Sequence, residues 1–439
     1  MSSTIPSSSD EIRDLHKKYL FPCVANYYQQ SLPLSRGKGI HLYDPEGREY
    51  LDFFGGILTV SLGHSEPEIN EKVKKQVDTL QHTSTLYPTP PIVMFAKRLA
   101  EIAPGSMKGN AQSFLTSSGS EADETAIMLA KVATGQQDVI VQRHSYSGRT
   151  HLATSLMGHS TYRPLGSQVA GVKHAPAPYC YRCPLKLTYP SCDVACAKDL
   201  KELIETTTNG KPAAFMAEPI LGVGGFITPP KEYFQIAVEI VRSHGGLFIA
   251  DEVQTFARTG DKWWGIENWG VEPDIITTAK GIANGFPMGV TMTRPDLAKK
   301  WAGGTISTFG GNPISCTAAT ATVDAIDARG LLKNAAVMGR HLRGKLDELK
   351  QKHDLIGDVR GMGLMQALEL VDDRTTKAPA TKGIAALFEE TRKRGLLIGK
   401  GGRYGNVVRI TPPLNVGKDD IDRAMKILDE SFAAVTALV

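Results

Sequence analysis

Short apolar runs with polar ends alternate with amphipathic stretches along most of the chain. Asp138–His144 (DVIVQRH), Ala213–Ile220 (AAFMAEPI), Gly245–Val253 (GGLFIADEV) and Pro273–Lys280 (PDIITTAK) have the length and apolar character of buried strands. Between them, EADETAIMLAKVAT and KEYFQIAVEIVRSHG space their apolar residues as helices do, and Gly245 closes the second. Buried strands separated by helices predict an α/β fold, with a mainly parallel sheet covered on both faces. Such a sheet binds ligands where its strands end. Near Asp324 the character changes. GLLKNAAVMGRHLRGKLDELKQKH reads as a long helix, GLMQALEL as a strand and KDDIDRAMKILDESFAAVTAL as a terminal amphipathic helix. The expected organisation is therefore a large domain over residues 61–323 and a smaller α+β domain over 324–439. Residues 1–60, with an Asp-Pro-Glu-Gly turn inside IHLYDPEGREYLDF, read as a hairpin segment that joins the smaller domain.

Composition narrows the function more than the fold. The 439 residues are 41% hydrophobic and 22% charged, ordinary for a soluble globular enzyme. A net charge of +4 without a Lys/Arg run gives no footprint for nucleic acid. No apolar run reaches the roughly 18 residues that a membrane span needs. MSSTIPSSSDEIRDLHKKYL lacks the apolar core of a secretory signal, and its acidic residues do not suit a transit peptide, so a cytoplasmic location is expected. Cys180, Cys183, Cys192 and Cys196 are spaced C-x2-C-x8-C-x3-C. The first pair suits a zinc knuckle, but the second is irregular, and the expectation is a cysteine-rich surface loop without metal.

Four places carry candidate chemistry. Lys280 stands where a strand stops and a glycine-rich loop begins, among small and apolar neighbours. There it must find an anion or lose its proton, and a neutral lysine is a nucleophile toward carbonyl carbon. Asp251 follows Leu247–Ala250 at the end of another buried strand. Alone it reads as a cap or an ion pair; with Lys280 it suggests a bound cofactor with two ends. Ser117-Ser118-Gly119-Ser120 leads into a helix with Glu121, Asp123 and Glu124, either an ordinary N-cap or a phosphate cradle. Tyr146, beyond Val139–Val141, either covers a core edge or stacks on a planar ring. No G-x-G-x-x-G follows an early strand, which sets aside a nicotinamide oxidoreductase. A non-catalytic binding protein would have no use for Lys280, Asp251 and Gln254 together.

The chain resembles the class III (ω-type) aminotransferases, pyridoxal-phosphate enzymes of fold type I. The resemblance runs through LYDPEGREYLDFFGGILTVSLGH, SSGSEADETA, YSGRT, AEPILGVGG, ADEVQT, TTAKGIANGFPMG, STFGGNPIS, VRGMGLMQALEL and VRITPPL, in the family's order and over nearly the whole chain. It implies a seven-stranded sheet and pyridoxal 5′-phosphate as cofactor. It makes Lys280 the residue that joins the cofactor as a Schiff base and later moves the substrate proton, and it pairs Asp251 with the ring nitrogen. Tyr146 and Val253 would take the two ring faces and Gln254 the ring hydroxyl, while Ser118, Gly119 and Ser120 would lie at the phosphate. Thr308 would reach the phosphate of the neighbouring subunit, implying a homodimer, or a tetramer built as a dimer of dimers. Arg409 would clamp a substrate carboxylate, with Arg403 and Arg258 as the next candidates.

Departures from the family bear on substrate. The aromatic motif reads Tyr146-Ser147-Gly148 where a histidine is usual, and DEVQTFARTG is one residue short. Val223 stands where ornithine- and GABA-type members carry a gating glutamate. Ile57-Leu58 replaces the Gln-Met of dialkylglycine decarboxylase, which makes decarboxylation unlike this chain. The cysteine loop and HTSTLYPTPP look most like the alanine–glyoxylate aminotransferase 2 branch. The expected reaction is ping-pong transfer from an amino acid or amine to pyruvate or glyoxylate. An ω-amine or β-amino acid donor remains the alternative.

Overall fold

The computed structural model describes residues 5–164, 166 and 169–436. Seven strands form its central sheet, in the spatial order Gln112–Thr116, Gly289–Thr293, Ile275–Ala279, Leu247–Asp251, Ala214–Ala217, Val139–Gln142 and Val172–Ala175. The last five are mutually parallel. Gly289–Thr293 runs antiparallel to both neighbours. The reason is the loop before it: residues 280–288 are too few for a crossover helix, so the chain turns straight back. The four apolar runs all became strands, and the sheet is the expected α/β type. Val139–Gln142, Ala214–Ala217 and Ile275–Ala279 are buried at every position rather than at alternate ones, because helices cover both faces. Phe215 and Phe248 stack at 6.0 Å, and Phe234 of the helix Tyr233–Ser243 closes on Phe248 at 5.8 Å. That helix ends just before Gly245, whose φ of +78° a side chain would resist.

A second sheet joins Ile356–Met362, Met365–Asp373, Val407–Ile410 and Gly399–Gly401. A third is the N-terminal hairpin, His41–Tyr43 with Glu49–Asp52, extended by Arg36–Lys38 on one side and by Leu396–Leu397 on the other. Leu51 lies opposite Leu396 in parallel register, so the two ends of the chain share this sheet. Pro313–Ala328 is one unbroken helix through Asp324, followed by the helix Leu331–Lys352. The terminal helix spans Lys418–Thr436, and the last residues of its sequence pattern lie outside the described residues. Among the described residues no helix is long and apolar enough to cross a membrane.

One short element has the opposite hand. Gly55, Gly56, Ile57 and Leu58 have φ of 60°, 58°, 66° and 60°, a left-handed turn. Each non-glycine residue there costs about 1–2 kcal/mol. Asp52 Oδ1 fixes its start by accepting the N–H groups of Phe54 and Gly55, both at 2.9 Å. Thr59 N–H closes it onto the Gly55 carbonyl at 2.7 Å.

Candidate active site

The strand ends converge as the sheet topology dictates. Asp251 closes the strand Leu247–Asp251, and the Val253 N–H donates to its Oδ1 at 3.0 Å. Lys280 is the first residue after Ile275–Ala279, the adjacent strand, with φ of +47°. Both line a cavity of about 420 Å³, together with Ser118, Gly119, Ser120, Tyr146 and Val253. Seven of the residues singled out in the sequence thus share one space.

The helix at this cavity starts earlier than its acidic residues suggested. Ser118 is the N-cap, so Gly119 and Ser120 form the first turn instead of preceding it. The Ser118 hydroxyl accepts from Glu121 N at 3.3 Å and donates to Glu121 Oε2 at 3.0 Å. Ser120 Oγ accepts from Arg149 N at 3.1 Å. Asp123 then falls on the inner face and is buried, with no hydrogen-bond partner for its Oδ1 among the described residues. Gly148 is required: a Cβ there would lie 2.1 Å from Ser120 Oγ.

Sequence reasoning missed two acids. Asp123 lines the cavity, and buried Glu218 accepts from Tyr146 N at 2.9 Å and Gly222 N at 2.8 Å. Burial, then the charge of Asp251, raises the pKa of both. Burial also raises Asp251, opposed by the Val253 N–H and by Lys280. Lys280 is held below the usual lysine range by burial, opposed by Asp251, Glu218 and Asp123. Three acids and one amine in a low-dielectric space cannot all stay charged. Arg149 and Thr59, also on the wall, are further residues the sequence did not single out.

Other expected residues stand outside this cavity. Gln254 is buried, its Oε1 without a partner and its amide against Gly222, whose Cβ would lie 2.3 Å away. Ile57 faces a separate cavity of about 450 Å³, beside Phe54 and Gly56, and is 45% exposed. Leu58 is buried, its carbonyl accepting from Arg258 Nη2 at 3.4 Å. Burial pushes the pKa of Arg258 down to about 10. Thr308 is exposed, next to exposed Ile306 and Phe309. Arg409, on Val407–Ile410, is 2% exposed. Its Nε donates to the Lys400 carbonyl at 3.0 Å, and its guanidinium lies 4.9 Å from the Phe54 ring centroid and 5.7 Å from that of Phe226. Its Nη1 has no partner among the described residues. Cys180, Cys183, Cys192 and Cys196 line one small cavity as free thiols, and no metal-holding group of three or more His, Cys, Asp or Glu occurs among the described residues.

A buried lysine beside buried acids at the carboxyl ends of a parallel sheet defines a cofactor-dependent enzyme of the α/β class. The chain belongs to the class-III aminotransferases, the family it matches over residues 23–432. It is 42% identical over 428 residues to alanine–glyoxylate aminotransferase 2 homolog 2, mitochondrial, of Arabidopsis thaliana, covering 97% of this chain and 88% of that one. It is 36% identical over 440 residues to the human mitochondrial alanine–glyoxylate aminotransferase 2, covering 95% and 85%. It superposes with a TM-score of 0.87 on an amine transaminase from an uncultivated Pseudomonas species solved with pyridoxal phosphate bound, at 30% identity over 95% and 98% of the two chains. The protein is a pyridoxal-phosphate-dependent aminotransferase of fold type I.

The residues present fit that cofactor. A helix N-terminus of small residues offers N–H groups to a phosphate. The excess of acid over base around Lys280 suits a group that brings a proton of its own.

Proposed function

We propose that the amino group passes from an amino acid or amine donor to a small 2-oxo acid, pyruvate or glyoxylate, in a ping-pong sequence. The observation that carries this reading is Arg409, a buried guanidinium whose Nη1 has no hydrogen-bond partner and which pairs with no acid among the described residues. A carboxylate accepted there in bidentate fashion would satisfy it. Val223, whose carbonyl accepts from Gly402 N at 2.9 Å, puts no acidic side chain in the way. The names of the two mitochondrial relatives point to the same acceptor class.

Bound pyridoxal phosphate supplies an aldehyde for the amine and a ring that withdraws electrons. The chain's own residues do the rest. Ser118, Gly119 and Ser120 would hold its phosphate, Tyr146 and Val253 would enclose its ring, and Gln254, buried outside the cavity lining with its Oε1 free, would meet its hydroxyl. Asp251 would keep a proton on the ring nitrogen. Lys280, with its depressed pKa, would be available as the amine that joins such an aldehyde and as the base that holds and moves the substrate Cα proton. Apolar Ile57, facing the neighbouring cavity, offers no hydrogen bond to a departing carboxylate, which favours transamination over decarboxylation. Exposed Thr308 suits a contact with the cofactor phosphate of a second copy, in a homodimer with shared sites.

An acceptor series tests the reading. With one amine donor, pyruvate and glyoxylate are expected to outperform 2-oxoglutarate and a plain aldehyde in kcat/KM. Equal rates with the plain aldehyde would remove the role of Arg409.

A further inference from the structure

Glu218 is an acid, 4% exposed, that no step above uses. It follows the strand Ala214–Ala217, in which Ala217 pairs in parallel register with Ala250. Glu218 and Asp251 are therefore neighbours at two adjacent strand ends. Two acids side by side in a buried place are costly, and an amide of the same shape would avoid that cost. The hydrogen bonds of Glu218 show why an acid stands there. Its Oε1 accepts from Tyr146 N at 2.9 Å and its Oε2 from Gly222 N at 2.8 Å. Both partners are N–H donors. Only a carboxyl group offers an acceptor at each end, whereas a glutamine must turn its NH2 toward one of them. Burial, then the charge of Asp251, pushes the Glu218 pKa up to about 8, against the pull of these two N–H groups.

We infer that Glu218 is a positioning residue that acts through Tyr146, fixing the backbone that carries this ring into the Lys280 cavity. Tyr146 lies in the loop after Val139–Gln142, outside any helix or strand, and lines the cavity. Its ring meets only the edge of Tyr162, at 5.6 Å, among the aromatic rings of the described residues. The second loop that Glu218 grips lies against the first: a Cβ at Gly224 would stand 2.7 Å from the His144 carbonyl oxygen. One carboxyl group thus ties both loops together beneath the ring. The inference rests on the proposed place of Tyr146 on a face of the cofactor ring and adds what holds it there.

A cycle of four proteins tests this: the wild type, Glu218→Gln, Tyr146→Ala and the double variant. The readouts are the affinity of each apoenzyme for pyridoxal phosphate and the visible circular dichroism of the loaded protein. Glu218→Gln should weaken cofactor binding about tenfold, the scale of one hydrogen bond to a charged group, and shrink the dichroic band. In the Tyr146→Ala background the same change should weaken binding less than about threefold, because the residue it positions is gone. Equal losses in the two backgrounds overturn the inference. Tyr146→Ala that binds cofactor as the wild type does would instead remove the place of Tyr146 on which the inference rests. Residue-resolved amide exchange of the wild-type apoenzyme needs no substitution in the buried site. There the Tyr146 and Gly222 amides should exchange at least about tenfold more slowly than exposed loop amides. A Tyr146 amide that exchanges as fast as an exposed one also overturns the inference.

Discussion

Lys280 and Arg409 are both cations set into the protein, and their surroundings could hardly differ more. Lys280 has three acids around it, Asp123, Glu218 and Asp251. Arg409 has a carbonyl and two aromatic rings. A lysine can shed its proton when desolvated, and the acids temper how far that goes. An arginine cannot, so a guanidinium without an internal counter-charge is built for one that arrives from outside. The comparison separates the group that reacts from the group that recognises.

Removing each in turn should break the comparison in different ways. The largest effect is expected for Lys280→Ala, which should bind cofactor without the covalent link and lose transamination by about 10³-fold or more. Turnover near the wild-type rate would remove Lys280 from the mechanism. Arg409→Ala should weaken pyruvate or glyoxylate by roughly 30-fold or more while leaving cofactor binding intact. Arg409→Lys should recover only part, because an ammonium cannot form the fork. If single-turnover reaction with a plain amine falls as far as that with pyruvate, Arg409 is structural. Thr308→Ala should loosen cofactor retention by about tenfold, the scale of one hydrogen bond to a charged group. The loss should grow as the protein is diluted, and a fully active monomer in sedimentation would contradict the shared site.

The smallest effect concerns protons outside the pair. Burial, then the nearby His159 and Arg403, lowers the pKa of His144 from 6.5 to about 4. Between those values the unfolded chain binds more protons than the folded one, so His144 costs stability as pH falls through that window. Thermal melts at pH 7.5 and pH 5 should show His144→Gln losing less on acidification than the wild type, by about 1–2 kcal/mol. A steeper loss in the variant would mean that His144 is not held neutral.

Much of this was legible in sequence because it depends on local pattern. The strand that ends in Asp251 and the one that leads into Lys280 are short runs dominated by apolar and β-branched residues, and the motif order assigned the family. What depends on distant residues meeting was not legible. Gln112–Thr116 opens on two polar residues and Gly289–Thr293 begins on a glycine at the end of a loop, so their place in the sheet came only with the fold. Asp123 looked like one more first-turn acid until the Ser118 cap set the helix start and turned it inward. Glu218 sat inside a quoted motif, with nothing to show that it holds Tyr146. The left-handed turn was hidden for another reason: a Gly-Gly pair permits it, but Ile57 and Leu58 argue against it.

That turn has a consequence for anyone who wants to redesign this enzyme. Its handedness comes from backbone that most residues refuse, so positions 55 and 56 are closed to ordinary libraries: replacing either glycine there would be expected to cost about 1 kcal/mol or more. Position 57 behaves in the opposite way. Ile57 already bears an unfavourable conformation with its side chain 45% exposed, so Ile57→Gly or Ile57→Asn should relieve strain while widening the neighbouring cavity. Most pocket enlargements trade stability for room; here the two should improve together.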